Sequence, residues 1–324
     1  MKPIKPQRLH KGDIVGICSP SGTIDHKREL FERAKSNFEQ ATGLRTLVAS
    51  NAYAKHYYSA GTPEERVADF HELIRNPDVK AIVFSAGGDT ALDLLPLLDY
   101  ELIKKNPKII TGISDATTLL SAITAKTGPI TFLGLEILDF ADRDMPYTLE
   151  SIRRMLFDGT PGEIHANPNW KEFDGITHAY TGWQSIKPGV AEGVLVGGNI
   201  QSFMQLVGTE YELSSAGAIV FFEAYKLPKK QIHKSLMQLK LRGYFDIVAG
   251  MVVGYNLESD NPEVVGNEQP IAETVLEVVG EYNFPIMQIG EIGHHVENFL
   301  QPIGAKVRMD ATNLIFEIAE SVVE

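Results

Sequence analysis

Cysteine is almost missing from this 324-residue chain: Cys18 is the single one, so no disulfide can form within it. A fold stapled by disulfides is excluded, and a reducing compartment fits. Long apolar runs are missing too. No stretch approaches the ~18 consecutive apolar residues that mark a spanning helix. The opening "MKPIKPQRLHKGDIVGICSP" has no apolar segment followed by a small-residue cleavage site. The expectation is a cytoplasmic protein with no membrane partner. Basic residues are outnumbered, 30 Lys and Arg against 42 Asp and Glu, for a net charge of −12. That argues against non-specific binding to nucleic acid or to an anionic membrane, both of which favour a basic face. A locally positive pocket stays compatible with it.

What is present describes an ordinary globular protein in two parts. Apolar residues make up 44 % and charged residues 22 %. The length exceeds one ordinary core and suits two domains. In the first half, short β-type runs ("DIVGICSP", "VKAIVFSAGG", "PKIITGIS", "PITFLG") alternate with helical spacing ("HKRELFERAKSNFEQAT", "GTPEERVADFHELIRNP", "DATTLLSAITAKTG"). One helix start is explicit: Thr62 as N-cap, Pro63 at the first helical position and Glu65 closing a capping box. "ALDLLPLLDYELIKKN" reads as one or two short helices broken near Pro96. Such alternation with short turns predicts a parallel sheet covered on both faces.

From about 158 to 190 the periodicity dissolves into a Gly-, Pro- and Asn-rich stretch. It reads as a linker with an ordered excursion over the surface, a place where function often resides. A second α/β region follows, with a Gly-Gly-Asn turn into a helix ("VGGNIQSFMQLVGT") and an antiparallel end. The predicted organisation is an N-terminal Rossmann-like domain with a parallel sheet over 1–160, a linker and substrate loop over 161–190, and a smaller mixed α/β domain over 191–324.

Ligands of open α/β sheets collect beyond the carboxyl ends of the strands. Three turns belong there: "SPSG" (Ser19 to Gly22), "SAGGD" (Ser85 to Asp89) and "GISD" (Gly112 to Asp115). The last is a strand–Gly–x–Ser–Asp–helix corner. It lifts a hydroxyl out of the sheet and aims the following N–H at the space where an oxyanion forms. It lacks the second glycine of G-x-S-x-G, and the bland reading is that Ser114 or Asp115 only caps the helix. A nucleophilic serine needs a base and an orienting group. Glu223 ends the apolar run "IVFFEAY", where a carboxylate is costly unless paired. His294 and His295 follow a strand in "EIGHHVEN"; in an extended chain at most one of them faces a given cleft.

"PKIITGISDATTLL", "GGN" with "GAIVFFEAY", and "GHHVENFLQPIGAKVRMD", in this order and spacing, resemble the LD-carboxypeptidase family of serine peptidases. The likeness runs from "GICSPSG" to the last strand. It implies a Ser–His–Glu triad of Ser114, His294 and Glu223 across two domains. His294 is preferred to His295 because it follows Gly293 and keeps the family's distance to Pro302 and Gly304. The resemblance implies oxyanion donors in the backbone N–H groups of Gly88 and Asp115, no cofactor or metal, and a homodimer.

The loop "FSAGGDTALDLL", with Ala86 and Asp89, lacks the arginine usual in the peptidoglycan-recycling members, and looks more like the microcin C immunity branch. That branch implies a small peptide or peptidyl-nucleotide substrate, with Asp89 and Trp183 as substrate-contacting candidates. The alternative is release of D-Ala from muropeptide tetrapeptides. Trp183 also reads as a hydrophobic clamp on the linker. Two rival classes fit less well. A phosphotransferase would use "AGGDTA" to cradle phosphate, but the sequence lacks a P-loop and a visible set of metal-binding carboxylates. The other is a non-catalytic binding protein with a cleft between two α/β domains, which a serine-directed covalent probe, labelling only a hydrolase and at Ser114, separates. Zinc on His294, His295 and Glu297 lacks the H-x-x-x-H spacing. Cys18, inside an apolar run, reads as a buried small residue.

Overall fold

The computed structural model describes residues 3–173, 182–257 and 269–324. The first sheet takes β1 (Ile14–Cys18), β2 (Arg45–Val48), β3 (Val79–Phe84), β4 (Ile109–Gly112) and β5 (Thr131–Leu133), all parallel, in the order 2-1-3-4-5. Between them run α1 (Arg28–Thr42), α2 (Pro63–Arg75), α3 (Tyr100–Lys105) and α4 (Ala116–Thr127). The strands of this sheet are mostly apolar on both faces, as a doubly covered parallel sheet requires. The capping box at α2 forms as its sequence predicts: Thr62 N–H donates to Glu65 Oε2 at 2.8 Å, and Glu65 N–H to Thr62 Oγ1 at 3.3 Å. Pro96 falls in a 3-10 turn, Ala91–Leu97, ahead of α3.

The second sheet takes β6 (Gly162–Ile164), β7 (Gln184–Lys187), β8 (Val190–Asn199), β9 (Ala218–Tyr225), β10 (Gly250–Leu257) and β11 (Ile286–Gly293). After β12 (Gln301–Ile303), which returns to the first sheet antiparallel to β5, come β13 (Lys306–Asp310) and β14 (Ile315–Ile318). Its order is 6-14-13-8-9-10-11-7. The four central strands β8 to β11 are parallel, and both flanks are antiparallel. The segment read as a linker therefore supplies an edge strand at each side, β6 on β14 and β7 on β11.

One apolar core spans the faces of both sheets, joining Phe84, Leu119 and Phe132 to Leu195, Phe221 and Ile289. A second core lies on the far side of the second sheet, under helices Lys229–Leu241 and Ile271–Val279. The helix expected after "VGGN" is short, Ile200–Phe203; beyond it the chain closes i to i+3 turns, Leu206 N–H on Phe203 and Thr209 N–H on Leu206. Among the described residues, no helix is long and apolar enough to cross a membrane.

Candidate active site

Three turns at the carboxyl ends of β1, β3 and β4 meet as the sequence predicts, and a buried carboxylate ties them together. Asp115 Oδ2 accepts from Ser21 Oγ at 2.5 Å and from the N–H of Ala91 at 2.8 Å. Asp115 is 1 % exposed. It opens α4 without a side-chain cap, so its carboxylate serves the neighbouring turns rather than the helix end. Arg66, also buried, fixes the same region by donating to the carbonyls of Pro20 (2.7 Å) and Thr90 (2.9 Å) and pairing with Asp93 at 3.0 Å.

Ser114 sits at the corner between β4 and α4 with φ +64°. A left-handed serine costs roughly 1–2 kcal/mol, and a helix cap does not require it. The strain lifts the hydroxyl toward a cavity of about 380 Å³ whose wall includes Gly87, Ser114, Glu136, Asp139, His294 and His295. Gly87 has to be glycine, because a Cβ there would lie 2.8 Å from Ser114 Cβ. Gly88 lies behind it against Ser21 and Gly22 and is not part of the cavity wall.

The second sheet brings the remaining groups. Glu223, near the end of β9, is 1 % exposed, and His294 follows the last residue of β11. His294 Nδ1 and Glu223 Oε2 are 2.6 Å apart. The other carboxylate oxygen accepts from Asn199 Nδ2 at 2.9 Å. Both Glu223 oxygens are thus engaged, which is what a buried carboxylate needs. His294 Nε2 is buried and, among the described residues, has no hydrogen-bond partner; it lies on the cavity that Ser114 also lines. Serine–base hydrogen bonds are often unformed before substrate binds.

The two sheets are locked together beside the serine. Asn199 N–H donates to Thr117 Oγ1 at 3.0 Å, one turn along α4 from Ser114. A Cβ on Gly198 would lie 2.5 Å from Thr117 Cγ2, so "GGN" is the point where the second sheet can come this close.

One expectation is corrected. His294 and His295 both line the cavity, because β11 stops at Gly293 and His295 turns back with φ +59°. Alternation does not govern residues beyond the strand end. The substrate-contact candidates stand elsewhere. Asp89 is exposed and outside the lining. Trp183 packs against the main core, and its Nε1 donates to Glu291 Oε2 at 2.5 Å. Cys18 is 1 % exposed in β1, and burial followed by the nearby Asp69 pushes its thiol pKa far up.

Several groups on the cavity escape the sequence reading. Glu136 follows β5, and its N–H donates to Asp139 Oδ2 at 3.3 Å; Asp139 is in turn held by Arg143. Burial, then the charge of Asp139, pushes the Glu136 carboxyl up to about 8, while a backbone hydrogen bond from Gly87 acts the other way. Burial raises Asp139 as well, and Arg143 opposes it. The available signal was position: "GLEILDF" places Glu136 just past a strand's carboxyl end, where ligands collect. Tyr225, also on the wall, lies tilted against His294, with ring centroids 4.8 Å apart. Among the described residues, no group of three His, Cys, Asp or Glu is placed to hold a metal ion.

A strained serine corner on one α/β unit, sharing a cavity with a buried His–Glu pair on another, is the arrangement of a two-domain serine hydrolase. Residues 15–134 match the LD-carboxypeptidase N-terminal domain and residues 192–309 its C-terminal domain, and the chain belongs to the LD-carboxypeptidase family of serine peptidases. It is 32 % identical to a probable murein peptide carboxypeptidase of Bacillus subtilis, over 99 % of this chain and 96 % of the relative. It is 29 % identical to the microcin C7 self-immunity protein MccF of Escherichia coli, over 98 % and 96 %. A solved structure of MccF with aspartyl sulfamoyl adenosine superposes with a TM-score of 0.88 at 27 % identity, covering 99 % of this chain and 100 % of that one.

Proposed function

We propose that this serine peptidase cleaves an amide bond at the carboxyl end of an aminoacyl or peptidyl group whose leaving group is nucleotide-like. His294 Nε2 removes the Ser114 proton as Oγ attacks the carbonyl carbon. The tetrahedral oxyanion is received by backbone N–H groups; the candidates are those of Gly88 and Asp115, which are not themselves on the wall but each follow a residue that is, Gly87 and Ser114. As the C–N bond breaks, His294 returns the proton to the leaving nitrogen, leaving an acyl-Ser114 ester. Water, deprotonated by the same imidazole, hydrolyses the ester and regenerates the serine. Glu223 holds the ring by Nδ1 and stabilises the imidazolium in both halves. The observation that carries this reading is the 2.6 Å His294–Glu223 pair, with Nε2 unpaired among the described residues on the cavity that Ser114 lines.

Two observations favour the nucleotide-like leaving group. "SAGGDTA" has no arginine before its glycines. Structures of MccF, similar over the whole chain, include complexes with aspartyl sulfamoyl adenosine and glutamyl sulfamoyl guanosine. The 32 % identity to the probable murein peptide carboxypeptidase favours a second reading, release of D-Ala from a muropeptide tetrapeptide by the same residues. Measuring kcat/KM for aspartyl sulfamoyl adenosine and for the tetrapeptide side by side decides between them. A preference for the tetrapeptide overturns the first reading.

A further inference from the structure

A second cavity of about 470 Å³ adjoins the first and shares Lys27, Gly87, Glu136 and Leu138 with it. Its outer wall is formed by His26, Lys55, Tyr57 and Tyr58. On a chain of net charge −12, this places two lysines and a histidine around one hollow. Asp25, the acid that faces Lys55 and His26, is already held by Arg28 through Nε at 3.0 Å and a terminal nitrogen at 2.7 Å. The acid on the lining itself is Glu136, at the shared boundary.

The two tyrosines are not explained by folding. They are 80 % and 77 % exposed. They form the tip of a tight turn closed by His56 N–H on Ser59 O at 2.9 Å and Ser59 N–H on His56 O at 3.0 Å. Tyr57 has φ +55° at the first central position, where glycine is the usual residue. A bulky aromatic there is strained; its ring meets the neighbouring His56, with centroids 4.8 Å apart, and most of its surface stays in solvent. The turn is also held firmly: Ala60 N–H donates to Ser21 O at 2.9 Å, and Ser21 in turn bonds Asp115 beside the nucleophile. Two aromatic faces are therefore presented at a fixed place relative to Ser114.

We propose that this second cavity is the leaving-group subsite and takes a nucleoside monophosphate or its sulfamate analogue. The base stacks on Tyr57 or Tyr58, and the anionic linker lies against Lys27 and Lys55. The inference rests on the hydrolase reading above for the direction in which the leaving group departs. It moves base recognition away from Trp183, which is engaged with Glu291.

The test uses the variant Tyr57→Gly/Tyr58→Ser, which suits the turn better than the native pair. Adenosine monophosphate is titrated calorimetrically into the wild-type and variant proteins, and kcat/KM is measured with aspartyl sulfamoyl adenosine. Loss of stacking is expected to weaken binding and lower kcat/KM by about tenfold to a hundredfold, with the melting temperature kept or raised. Efficient wild-type cleavage of the nucleotide substrate with kcat/KM unchanged in the variant overturns the subsite and leaves the hydrolase reading standing. Adenosine monophosphate binding that depends on the tyrosines, in a protein that cleaves only the D-Ala tetrapeptide, overturns the nucleotide-hydrolase reading and keeps the subsite. A wild-type protein that does not bind adenosine monophosphate overturns the subsite outright.

Discussion

His294 and Glu223 stand 2.6 Å apart although they end different strands and lie 71 residues apart in sequence. β9 and β11 are separated in the sheet by β10, and their carboxyl ends converge only because all three run parallel. The register between β10 and β11 shifts near the top, pairing Tyr255 with Gly293. That irregularity at the strand end delivers the histidine to the carboxylate. Such departures from a regular ladder are common next to active sites. Asn199, at the end of β8, completes the row by holding the other Glu223 oxygen.

Ser114 offers a direct separation of stability from activity. Ser114→Ala keeps the Cβ and the strained φ, so its melting temperature should match the wild type while turnover falls by at least ~10³-fold. Ser114→Gly removes the left-handed penalty and should be more stable by about 1 kcal/mol, and equally inactive. Thermal melts and kcat on the same preparations check both. Turnover by folded Ser114→Ala protein would sink the serine mechanism.

The His–Glu pair should behave as a unit. His294→Ala and Glu223→Gln should each depress kcat strongly, and neither should add much to Ser114→Ala. His295→Ala should be milder, acting on KM, since His295 shares the cavity but the bond to Glu223 belongs to His294. If His295→Ala is inactive and His294→Ala is active, the assignment is off by one residue. Single-turnover measurements of the acylation step distinguish a binding defect from a chemical one.

Glu136 should make both stability and substrate affinity depend on pH. Its carboxyl is raised from 4.5 to about 8, chiefly by burial and then by Asp139. The folded state therefore holds a proton that the unfolded state releases. The stabilisation is complete below about pH 4.5 and is lost as pH rises toward 8. Lys27, Arg143 and Asp139 are the charged groups that face it. Glu136→Gln should flatten the fall in melting temperature over this window. It should also remove a rise in KM above pH 8 for an anionic leaving group, which the ionised carboxylate would repel. Parallel curves for the two proteins would show that Glu136 is not the titrating group.

Much of the first unit was legible because its signals are local. The strand–glycine–serine corner, the capping box at Thr62 and the alternation of periods each live within a dozen residues. The pairing of Glu223 with His294 was reached by resemblance to a family, since no local pattern links residues that meet only through sheet order. The Asp115 carboxylate does not cap the helix, as the bland reading of this corner has it. A residue in N-cap position looks like a cap, and only the tertiary structure shows Ser21 and Ala91 competing for its carboxylate. Glu136 and the turn at Tyr57 were missed because a single acid after a strand and two tyrosines in a loop carry no periodicity. Their meaning comes from facing the same space as Gly87.

Trp183 should prove to be a fastener of the segment before β8. Its ring packs on the main core, and its N–H meets the buried carboxylate of Glu291, which also accepts from the N–H of Asn167 at 2.7 Å. Burial raises the Glu291 pKa, and the Asn167 and Trp183 hydrogen bonds pull it back. Trp183→Phe keeps the packing and removes one donor from a carboxylate. It should cost about 1.5–3 kcal/mol near neutral pH and less at low pH, where a protonated Glu291 has less need of the bond. Trp183→Ala should cost more, because the packing goes as well. Neither should change the ratio of kcat/KM for aspartyl sulfamoyl adenosine over tetrapeptide by more than about twofold, well short of the tenfold or more expected for a lost base-stacking ring. Denaturant unfolding of both variants, together with that ratio, is the measurement. A fall of tenfold or more in the ratio with stability unchanged would put Trp183 against the substrate and return the nucleobase to the interdomain segment.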